Sequence, residues 1–336
     1  MVRRMTKVLV VGTGSIGKRH LENLVRLGVE VSAYSYRASE VMVLGAPVFC
    51  YQSLEKAMEA DIDAVVVANR TDQHMPVALM AARAGKNIFI EKPLSVSLDG
   101  VDELLEISEK KDLIIESGFM LRSHPNLLWI RKFLSEGLLG DIWHMRASVG
   151  QWLPDWRPGT DHRQGYGAFR AKGGGVTFDL IHELDLVQWL LGPVQDVTAM
   201  MRQVAELEIE TEAIAQIGLQ LVSGALAQVH LDYLRPGYGR EMEVVGRFGV
   251  LRWDYVQGLV TLERDSGQPP QMVHRLPDGF ERNHLFLAHM QHFLRRIKSR
   301  GIPASSPLAE AALVLRVALA AHHSAESRRH VRPADL

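Results

Sequence analysis

The chain has 336 residues, of which 47% are apolar, and its 38 lysines and arginines are balanced by 39 aspartates and glutamates. This length exceeds one ordinary hydrophobic core and predicts two domains. The balanced charge argues against a general nucleic-acid-binding or membrane-surface role, because both need an excess of basic residues. Cys50 is the only cysteine, which excludes an intrachain disulfide and a cysteine-based zinc site and favours a reducing compartment.

The apolar runs of the sequence predict neither a signal peptide nor a membrane span. The N-terminal MVRRMTKVLVVGTG is basic and then apolar, but its apolar run of about five residues is too short for a signal. The longest apolar run elsewhere, AALVLRVALAA, is interrupted by Arg316 and is too short to cross a bilayer. We therefore expect a cytoplasmic protein.

The first part of the chain alternates between short apolar strands and helices. The predicted strands are KVLVVG, VEVSAYS, DAVVVAN, NIFIE and DLIIESGF, and the predicted helices are SIGKRHLENLVRLG, SLEKAMEA, HMPVALMAARAG and SLDGVDELLEISEKK. Strands separated by helices of this length indicate βαβ units and a parallel sheet. The Val/Ile-rich strands fit burial on both faces of that sheet.

The pattern changes after about residue 140. IWHMRASVGQW, DVTAMMRQV, EAIAQIGLQL, ALAQVHLDY, EMEVVGRFG and GVLRWD follow as strands, several of them alternating as one-sided antiparallel strands do. One long apolar helix, VTFDLIHELDLVQWLLG, lies among them, and helices near 282–300 and 307–327 close the chain. The predicted domains are 1–122 and 123–336, although the last helices are also candidates for packing back on the first domain.

VGTGSIG carries a glycine pattern, G-x-G-x-x-G, directly after a strand and at the start of a helix. Gly12 permits the tight turn, Gly14 lets the backbone approach a pyrophosphate, and Gly17 allows close packing of helix on strand. Ser15 and Ile16 then present backbone N–H groups at the helix N-terminus, where a phosphate binds well. The motif predicts a dinucleotide site.

The end of the second strand decides between two cofactors. An acidic residue there binds the ribose diol of NAD, but this chain has Ser35, Tyr36 and Arg37. A hydroxyl and a guanidinium suit a 2′-phosphate better, and Arg37 is also able to stack on adenine. A solvated arginine at the start of a loop is the simpler alternative. NADP is the preferred prediction, with NAD retained.

Two segments of the second domain carry polar side chains that indicate a site. Asp179 and His182, three residues apart on one face of the apolar helix, follow three glycines. A histidine in such a helix is more often a core residue, but a buried Asp–His pair favours a function. The loop GQWLPDWRPGTDHRQGY offers aromatic faces for sugar and arginines for anions, in Trp152, Arg157, Arg163 and Tyr166, unless these residues serve as surface or oligomer contacts. The sequence predicts no metal site, since the helical stretches near the C-terminus offer no acid cluster beside their histidines, His289, His292, His322 and His323.

GTGSIGKRH, TDQHMPVALMAARAGKNIFIEKPLS, GFMLRSHPN, GGGVTFDLIHELD and SAESRRHV together resemble the Gfo/Idh/MocA oxidoreductases, the glucose–fructose oxidoreductase and inositol dehydrogenase family. The resemblance implies a Rossmann domain followed by an α/β domain with an open, mainly antiparallel sheet. It also implies sugar, cyclitol or nucleotide-sugar substrates, and homodimers or homotetramers formed through that sheet.

The resemblance also assigns residues. It implies that Lys92 of the EKP motif projects between nicotinamide and substrate, that a cis bond precedes Pro93, and that Glu91, Asn69 and His74 line the cofactor. Lys92 or His182 receives the proton of the substrate alcohol, and Asp179 and Arg122 join the substrate site. Lys92 follows a parallel strand, where α/β sheets bind ligands.

One departure from the family pattern stands out. The family often shows D-x-x-x-H, whereas this chain has D-x-x-H, which weakens the assignment of Asp179 more than that of His182. The DLIHELD form with its WLPDWRP loop resembles a subgroup linked to bacterial surface-sugar metabolism. Two other functions stay open: a glycoside hydrolase that retains its NAD and oxidises C3 transiently, and a non-catalytic nicotinamide-binding regulator.

Overall fold

The computed structural model describes residues 5–36, 38–264 and 267–336. Strands and helices alternate over the first third of the chain. They are β1 (Lys7–Val11), α1 (Ser15–Arg26), β2 (Glu30–Tyr34), β3 (Glu40–Val43), β4 (Ala46–Tyr51), α2 (Leu54–Glu59), β5 (Ala64–Val67), α3 (His74–Arg83), β6 (Asn87–Ile90), α4 (Val101–Lys110) and β7 (Ile115–Ser117).

Strands dominate the middle of the chain, and two long helices close it. The elements are α5 (Pro125–Ser135), β8 (Ile142–Gly150), α6 (Val176–Asp179), α7 (His182–Leu191), β9 (Val194–Arg202), β10 (Ile214–Leu221), β11 (Leu226–Asp232), β12 (Gly239–Gly246), β13 (Gly249–Asp254), β14 (Leu259–Glu263), β15 (Gln271–Arg275), α8 (Arg282–Lys298) and α9 (Leu308–Ser327). Within the described ranges, no helix combines the length and the apolar character needed to cross a membrane.

The chain forms two compact units. Unit 1 consists of Met1–Ser123 and Glu281–Ala312, and unit 2 consists of His124–Phe280 and Leu313–Leu336. The first-domain boundary expected at residue 122 lies one residue from the observed division, and α8 belongs to the first unit.

Unit 1 is built on a seven-stranded sheet in the order β3-β4-β2-β1-β5-β6-β7. All neighbouring strands are parallel except the β3–β4 pair at one edge. The central strands bury Val and Ile side chains on both faces, as a parallel sheet covered by helices requires. Met290, Phe293 and Leu294 of α8 complete the core that packs on β1 and α1.

Unit 2 is built on an eight-stranded sheet in the order β15-β14-β13-β12-β8-β11-β10-β9. Its strand pairs are antiparallel except β8 with β11, which run parallel. Along β8, Met145, Ala147 and Val149 are buried, whereas the alternating Arg146 and Ser148 line an open polar face. The predicted fold class, a Rossmann sheet followed by a mainly antiparallel sheet, is confirmed.

Four regions differ from the sequence predictions, one of them being α5, a helix that the sequence analysis did not predict. Residues 40–51 form the β3–β4 hairpin, whose turn places Leu44 and Gly45 at φ 50° and 83°. The helix predicted over 176–192 is divided into α6 and α7, because Leu180 leaves helical geometry at φ −106° and ψ 29°. Strands β14 and β15 extend the second sheet beyond the last predicted strand.

Candidate active site

The glycine loop between β1 and α1 has the geometry of a phosphate cradle. Gly12 has φ 106°, and a Cβ there would lie 2.6 Å from the carbonyl oxygen of Ala68. A Cβ on Gly17 would lie 1.8 Å from the carbonyl oxygen of Gly12, so this position requires glycine for packing. A Cβ on Gly14 would meet no atom of the described residues within 4 Å. The first and third glycines therefore close the turn, while the second keeps one side open.

Helix α1 begins at this open side. Gly14 is its N-cap, and no side chain caps its first turn among the described residues. The backbone N–H groups of Ser15 and Ile16 lie in that turn, where uncapped donors and the helix dipole favour an anion. The loop thus fits a dinucleotide pyrophosphate, and contacts from Gly12, Gly14, Ser15, Ile16 and Gly17 stay the prediction made from the motif.

The end of β2 presents no acidic side chain. Ser35 and Tyr36 follow Tyr34 there, Tyr36 is 69% exposed, and Arg37 lies outside the described residues. Sequence reasoning missed a nearby cation, Arg70, in the segment after β5. Arg70 donates two hydrogen bonds to Asp72, of 3.0 and 2.8 Å, and these, together with the charge of Asp72 and the neighbouring Tyr36 phenol, raise its pKa against the effect of partial burial.

Asn69 and His74, both predicted to line the cofactor, are joined by hydrogen bonds. Nδ1 of the buried His74 lies 2.9 Å from the carbonyl oxygen of Pro93, and its Nε2 lies 3.2 Å from that of Asn69. The Asn69 amide donates to the carbonyl oxygen of Gln73 at 3.2 Å. Its Oδ1 is buried and accepts no hydrogen bond from the described residues, which leaves an acceptor for a ligand donor.

The EKP segment follows β6. Lys92 is half-buried, and the Lys92–Pro93 peptide bond is cis. The Glu91 side chain is only 9% exposed, with Oε1 2.7 Å from His20 Nε2 and Oε2 accepting the Lys92 backbone N–H at 3.2 Å. Burial raises the pKa of Glu91, but the bond and the charge of His20 outweigh it and lower that pKa overall. The Glu91 carboxylate is therefore engaged within the protein, and its contact with the cofactor stays a prediction.

Arg122 was expected to bind substrate, but its guanidinium is engaged within unit 1. It is buried, forms an ion pair with Glu310 and donates to the Ser305 carbonyl oxygen at 3.0 Å. The guanidinium also lies 5.7 Å from the centre of the Phe119 ring. These contacts hold the segment after β7 against residues 305–310, which is a structural role.

Asp179 is the centre of the polar cluster in unit 2. Its Oδ1 accepts a hydrogen bond of 2.9 Å from the Tyr166 hydroxyl, and its Oδ2 accepts one of 2.7 Å from the Tyr233 hydroxyl. Tyr233 is fully buried, and burial together with the Asp179 carboxylate raises its pKa well above the ordinary value. His182 is buried at the first residue of α7, across the break that follows Asp179.

The three glycines before α6 leave room for neighbouring groups of the same unit, not for a ligand. A Cβ on Gly175 would lie 2.4 Å from Glu212 Oε1, and one on Gly174 would lie 2.4 Å from the carbonyl oxygen of Gly167. Glu212 accepts the Thr177 backbone N–H at 3.1 Å and so caps α6. The close approach expected at these glycines is thus made by Glu212 and by the loop that carries Tyr166.

A cavity of about 390 Å³ lies between that loop and Asp179. Arg157 and Tyr166 lie on its wall, and the guanidinium carbon of Arg157 is 5.7 Å from the centre of the Tyr166 ring. Arg157 has no carboxylate partner among the described residues. The rest of the wall is formed by Leu153, Pro154, Trp156, Thr160, Asp161, His162, Gln164, Gly165, Gly167 and Asp179.

Two residues expected in this site are placed differently. Arg163 donates two hydrogen bonds to Asp161, of 2.9 and 3.0 Å, and a third to Glu208 at 3.1 Å, and it is not on the cavity wall. The hydrogen bonds that Asp161 accepts from the side chain and from the backbone N–H of Arg163 hold the pKa of Asp161 at about 2. Trp156 lies on the wall instead of Trp152, with its ring edge-on to Tyr233 at 5.2 Å.

In the described part of the chain, no group of three or more His, Cys, Asp or Glu side chains is arranged to hold a metal ion.

Two sequence models match most of the chain. The model described as "Oxidoreductase family, NAD-binding Rossmann fold" matches residues 6–119, and that of the "GFO/IDH/MocA C-terminal domain" matches residues 127–252. This protein belongs to the GFO/IDH/MocA oxidoreductase family. Family membership confirms the predicted class, an oxidoreductase whose first domain binds a nicotinamide dinucleotide.

Relatives and solved structures agree with the assignment to the GFO/IDH/MocA family. Myo-inositol 2-dehydrogenase of Thermotoga maritima is 28% identical over 97% of this chain and 98% of its own length. Inositol 2-dehydrogenase/D-chiro-inositol 3-dehydrogenase of Lacticaseibacillus casei is 30% identical over 74% of this chain and 72% of its own. The structure of levoglucosan dehydrogenase with NADH and levoglucosan has a TM-score of 0.86 at 18% identity, covering 98% of this chain and 99% of that one, and supports the fold.

Proposed function

We propose that this protein interconverts a secondary alcohol and a ketone on the ring of a sugar or cyclitol that carries an anionic group. The observation that carries the proposal is Arg157, a cation without a carboxylate partner among the described residues, on the wall of a cavity that also contains Tyr166 and Asp179. A guanidinium binds carboxylate or phosphate through a fixed fork of donors. Trp156 supplies an apolar face suited to a sugar ring.

The names of the relatives support the ring-alcohol part of the proposal. The two inositol dehydrogenases are named for the oxidation of a cyclitol hydroxyl. Tyr166, bonded through its hydroxyl to Asp179, offers a hydroxyl at the cavity wall that is able to contact a substrate oxygen. The nicotinamide, when bound, supplies or accepts the hydride.

Two side chains are candidates for handling the proton of the substrate alcohol. Lys92 follows a parallel strand in unit 1, at the end where such sheets bind ligands. His182 lies in unit 2, three residues after Asp179, and is the alternative acceptor. A positioned acid/base group contributes roughly 100-fold or more to turnover, so replacing each residue separately identifies the one that acts.

We propose NADP as the preferred cofactor. Support comes from the two residues that follow β2, Ser35 and Tyr36, neither of which is acidic. The cation Arg70, near Tyr36, adds to this support. Arg37 follows Tyr36 in the chain and would add a second cation for a 2′-phosphate. The family description and the NADH complex of levoglucosan dehydrogenase keep NAD as the alternative.

The open face of the unit 2 sheet supports a proposed homodimer or homotetramer. Arg146, His230, Glu243 and Arg252 line this face with side chains of both signs, which is a surface able to pair with a second copy of itself. Sedimentation of the native protein and of Arg146→Glu tests this assignment.

We further infer that the protein acts in the cytoplasm and belongs to the subgroup linked to surface sugars.

The deciding experiment uses matched substrates. Incubation of the enzyme with NADP or NAD and with glucose, glucuronate, glucose 6-phosphate or myo-inositol is followed by the absorbance of reduced nicotinamide. We expect kcat/KM to favour an anionic member of the panel over its neutral counterpart. Equal or faster oxidation of the neutral compounds would contradict the anionic part, and cleavage of an aryl glycoside without net reduction would indicate the hydrolase alternative.

A further inference from the structure

Lys92 sits in a turn whose two flanking residues are both held by buried histidines. On the N-terminal side, the backbone hydrogen bonds between β5 and β6 continue through Glu91, whose N–H donates to the Val67 carbonyl oxygen at 2.9 Å. On the C-terminal side, the Pro93 carbonyl oxygen is 2.9 Å from His74 Nδ1. Each histidine comes from a different helix, His20 from α1 and His74 from the first residue of α3.

His20 fixes the Glu91 side chain. Its Nε2 lies 2.7 Å from Glu91 Oε1, while Oε2 accepts the Lys92 backbone N–H, so the carboxylate bridges the imidazole and the lysine backbone. His20 is 1% exposed, and its ring meets Phe89 and Phe286 edge-on at 5.5 and 6.3 Å. Away from water a hydrogen bond of this kind is strong, because little solvent competes for the donor or the acceptor.

The space around this bond is closed. A Cβ on Gly118 would lie 2.7 Å from Glu91 Oε2, so the carboxylate fills the space that only a glycine leaves at this position. His20 lies four residues after Ile16 on α1, one helical turn beyond the N–H groups of the phosphate cradle. A single helix therefore carries both the cofactor cradle and the group that holds Glu91.

We infer that His20 and His74 are positioning residues that hold the Glu91–Lys92–Pro93 turn in its active geometry, and that His20 links this turn to the cofactor helix. The inference rests on the proposed role of Lys92 as a proton-handling group. Burying two imidazoles carries a desolvation cost, which hydrogen bonds to this turn offset. A displacement of about 1 Å at a reacting group is able to cost on the order of 100-fold in rate.

The two histidines use different ring nitrogens, and this difference supplies the test. A glutamine amide reaches the place of Nε2, whereas an asparagine amide reaches the place of Nδ1. We therefore expect His20→Gln to keep the bond to Glu91 and His20→Asn to lose it. For His74 the order is reversed, because Nδ1 is the atom that faces Pro93: His74→Asn keeps the contact and His74→Gln loses it.

The measurement is the rate constant of hydride transfer in a single turnover, from rapid mixing of enzyme–NAD(P)H with the ketone of the best substrate. We expect a fall of roughly 10- to 100-fold in His20→Asn and His74→Gln, a change below about 3-fold in His20→Gln, a smaller fall in His74→Asn than in His74→Gln, and unchanged cofactor affinity in both His20 variants. Arg26→Ala, an exposed position in the last turn of α1, is the control. A partly unfolded variant would lose amplitude but not rate constant.

Equal rate constants for the asparagine and glutamine variants at either position would overturn the inference. A crystal structure of His20→Asn tests it without any substrate: a displaced or disordered Lys92 supports it, and an unmoved turn at residues 91–93 refutes it. Failure of the native enzyme on every substrate would instead count against the proposed function. The two failures are therefore distinguishable.

Discussion

Tyr233 and Asp179 share a buried hydrogen bond of 2.7 Å, and the same carboxylate accepts a second bond from Tyr166. Asp179 thus has both oxygens committed to tyrosine hydroxyls of its own unit. This arrangement gives Asp179 a role in fixing Tyr166 at the cavity wall. It also accounts for how a D-x-x-H segment keeps its aspartate in place although α6 and α7 are separated by a break.

Tyr233→Phe should lower the free energy of unfolding by about 1–3 kcal/mol, because a buried carboxylate oxygen loses its donor. Urea denaturation of the native protein and the variant measures the change. Tyr166→Phe, at a half-buried position, is the comparison and should cost less. Equal stability of Tyr233→Phe and the native protein would mean that water or another group replaces the lost donor.

Lys92→Ala should reduce kcat by roughly 100-fold or more while the cofactor dissociation constant stays within a factor of about two, since the lysine acts on the substrate proton. Steady-state kinetics with the best substrate and a fluorescence titration with NADPH provide the two numbers. Lys110→Ala, an exposed lysine at the end of α4, is the control. Undiminished turnover would remove Lys92 from the mechanism and leave His182 as the candidate.

NADPH should bind more tightly than NADH, and Arg37→Ala should weaken NADPH binding by roughly 10-fold with little effect on NADH, because only NADPH carries the 2′-phosphate. Calorimetry of the native protein and of Arg37→Ala gives the dissociation constants of NADPH and NADH, whose comparison tests the preference. Arg70→Ala tests whether the second cation near Tyr36 contributes. A native enzyme that prefers NADH would show that contacts other than those after β2 set the choice.

Arg157→Ala should raise the KM for an anionic substrate by roughly 10-fold, because a guanidinium–anion hydrogen bond is lost, and the KM for the cofactor should not change. The sequence pattern, which presents Arg163 as a second arginine suited to anions, predicts the same effect for Arg163→Ala. Since Arg163 is paired with Asp161 and Glu208, we now expect a smaller one from it. A larger effect from Arg163→Ala would indicate that the loop rearranges when substrate binds.

The unfolding free energy should fall in acid partly because of Glu116 on β7. Burial raises the pKa of this carboxyl. The hydrogen bond that Arg296 donates to its Oε1 at 2.8 Å, together with the His289 imidazole 3.7 Å from its Oε2, outweighs burial and lowers the pKa overall. A carboxyl with a lower pKa in the folded state stabilises that state above the unfolded pKa of about 4.3, and the contribution is lost as pH falls through the folded pKa.

The variant Glu116→Gln isolates this contribution. Its unfolding free energy should lie below that of the native protein at pH 7, since a buried charge pair is broken, and the gap should narrow on acidification. Urea unfolding at several pH values between about 7 and 3 gives the unfolding free energy of the native protein and of the variant as a function of pH. Glu109→Gln, on the exposed side of α4, should run parallel to the native protein. A gap independent of pH would show that Glu116 acts only through packing.

Local patterns predicted the parts of the fold that depend on neighbouring residues. The glycine spacing, the Val/Ile strands and the helices between them in the first domain lie where the sequence placed them. The β3–β4 hairpin was missed because its positive-φ turn uses Leu44 and Gly45, without the Asn-Gly or Asp-Gly signal of such turns. The division between α6 and α7 was missed because the apolar pattern continues through Leu180 and Ile181.

The contents of the site were harder to predict, because they depend on partners far away in the chain. Arg163 and Arg157 look alike in sequence, but Glu208, 45 residues beyond Arg163, pairs with only one of them. Tyr233 and Glu212 have no motif that marks them as partners of Asp179 and α6. His20 was visible in GTGSIGKRH, but only the fold shows that it reaches Glu91.

The composition of unit 1 has a consequence for synthesis on the ribosome. Its sheet is complete when Ser117 emerges, but Met290, Phe293 and Leu294 of its core follow about 175 residues later, after the whole first segment of unit 2. At ordinary translation speeds this delay lasts roughly 10–30 s, during which α1 and β1 lack their apolar cover. The nascent Rossmann sheet is therefore a predicted client of ribosome-associated chaperones, and a chain released before residue 298 should be protease-sensitive throughout its first unit.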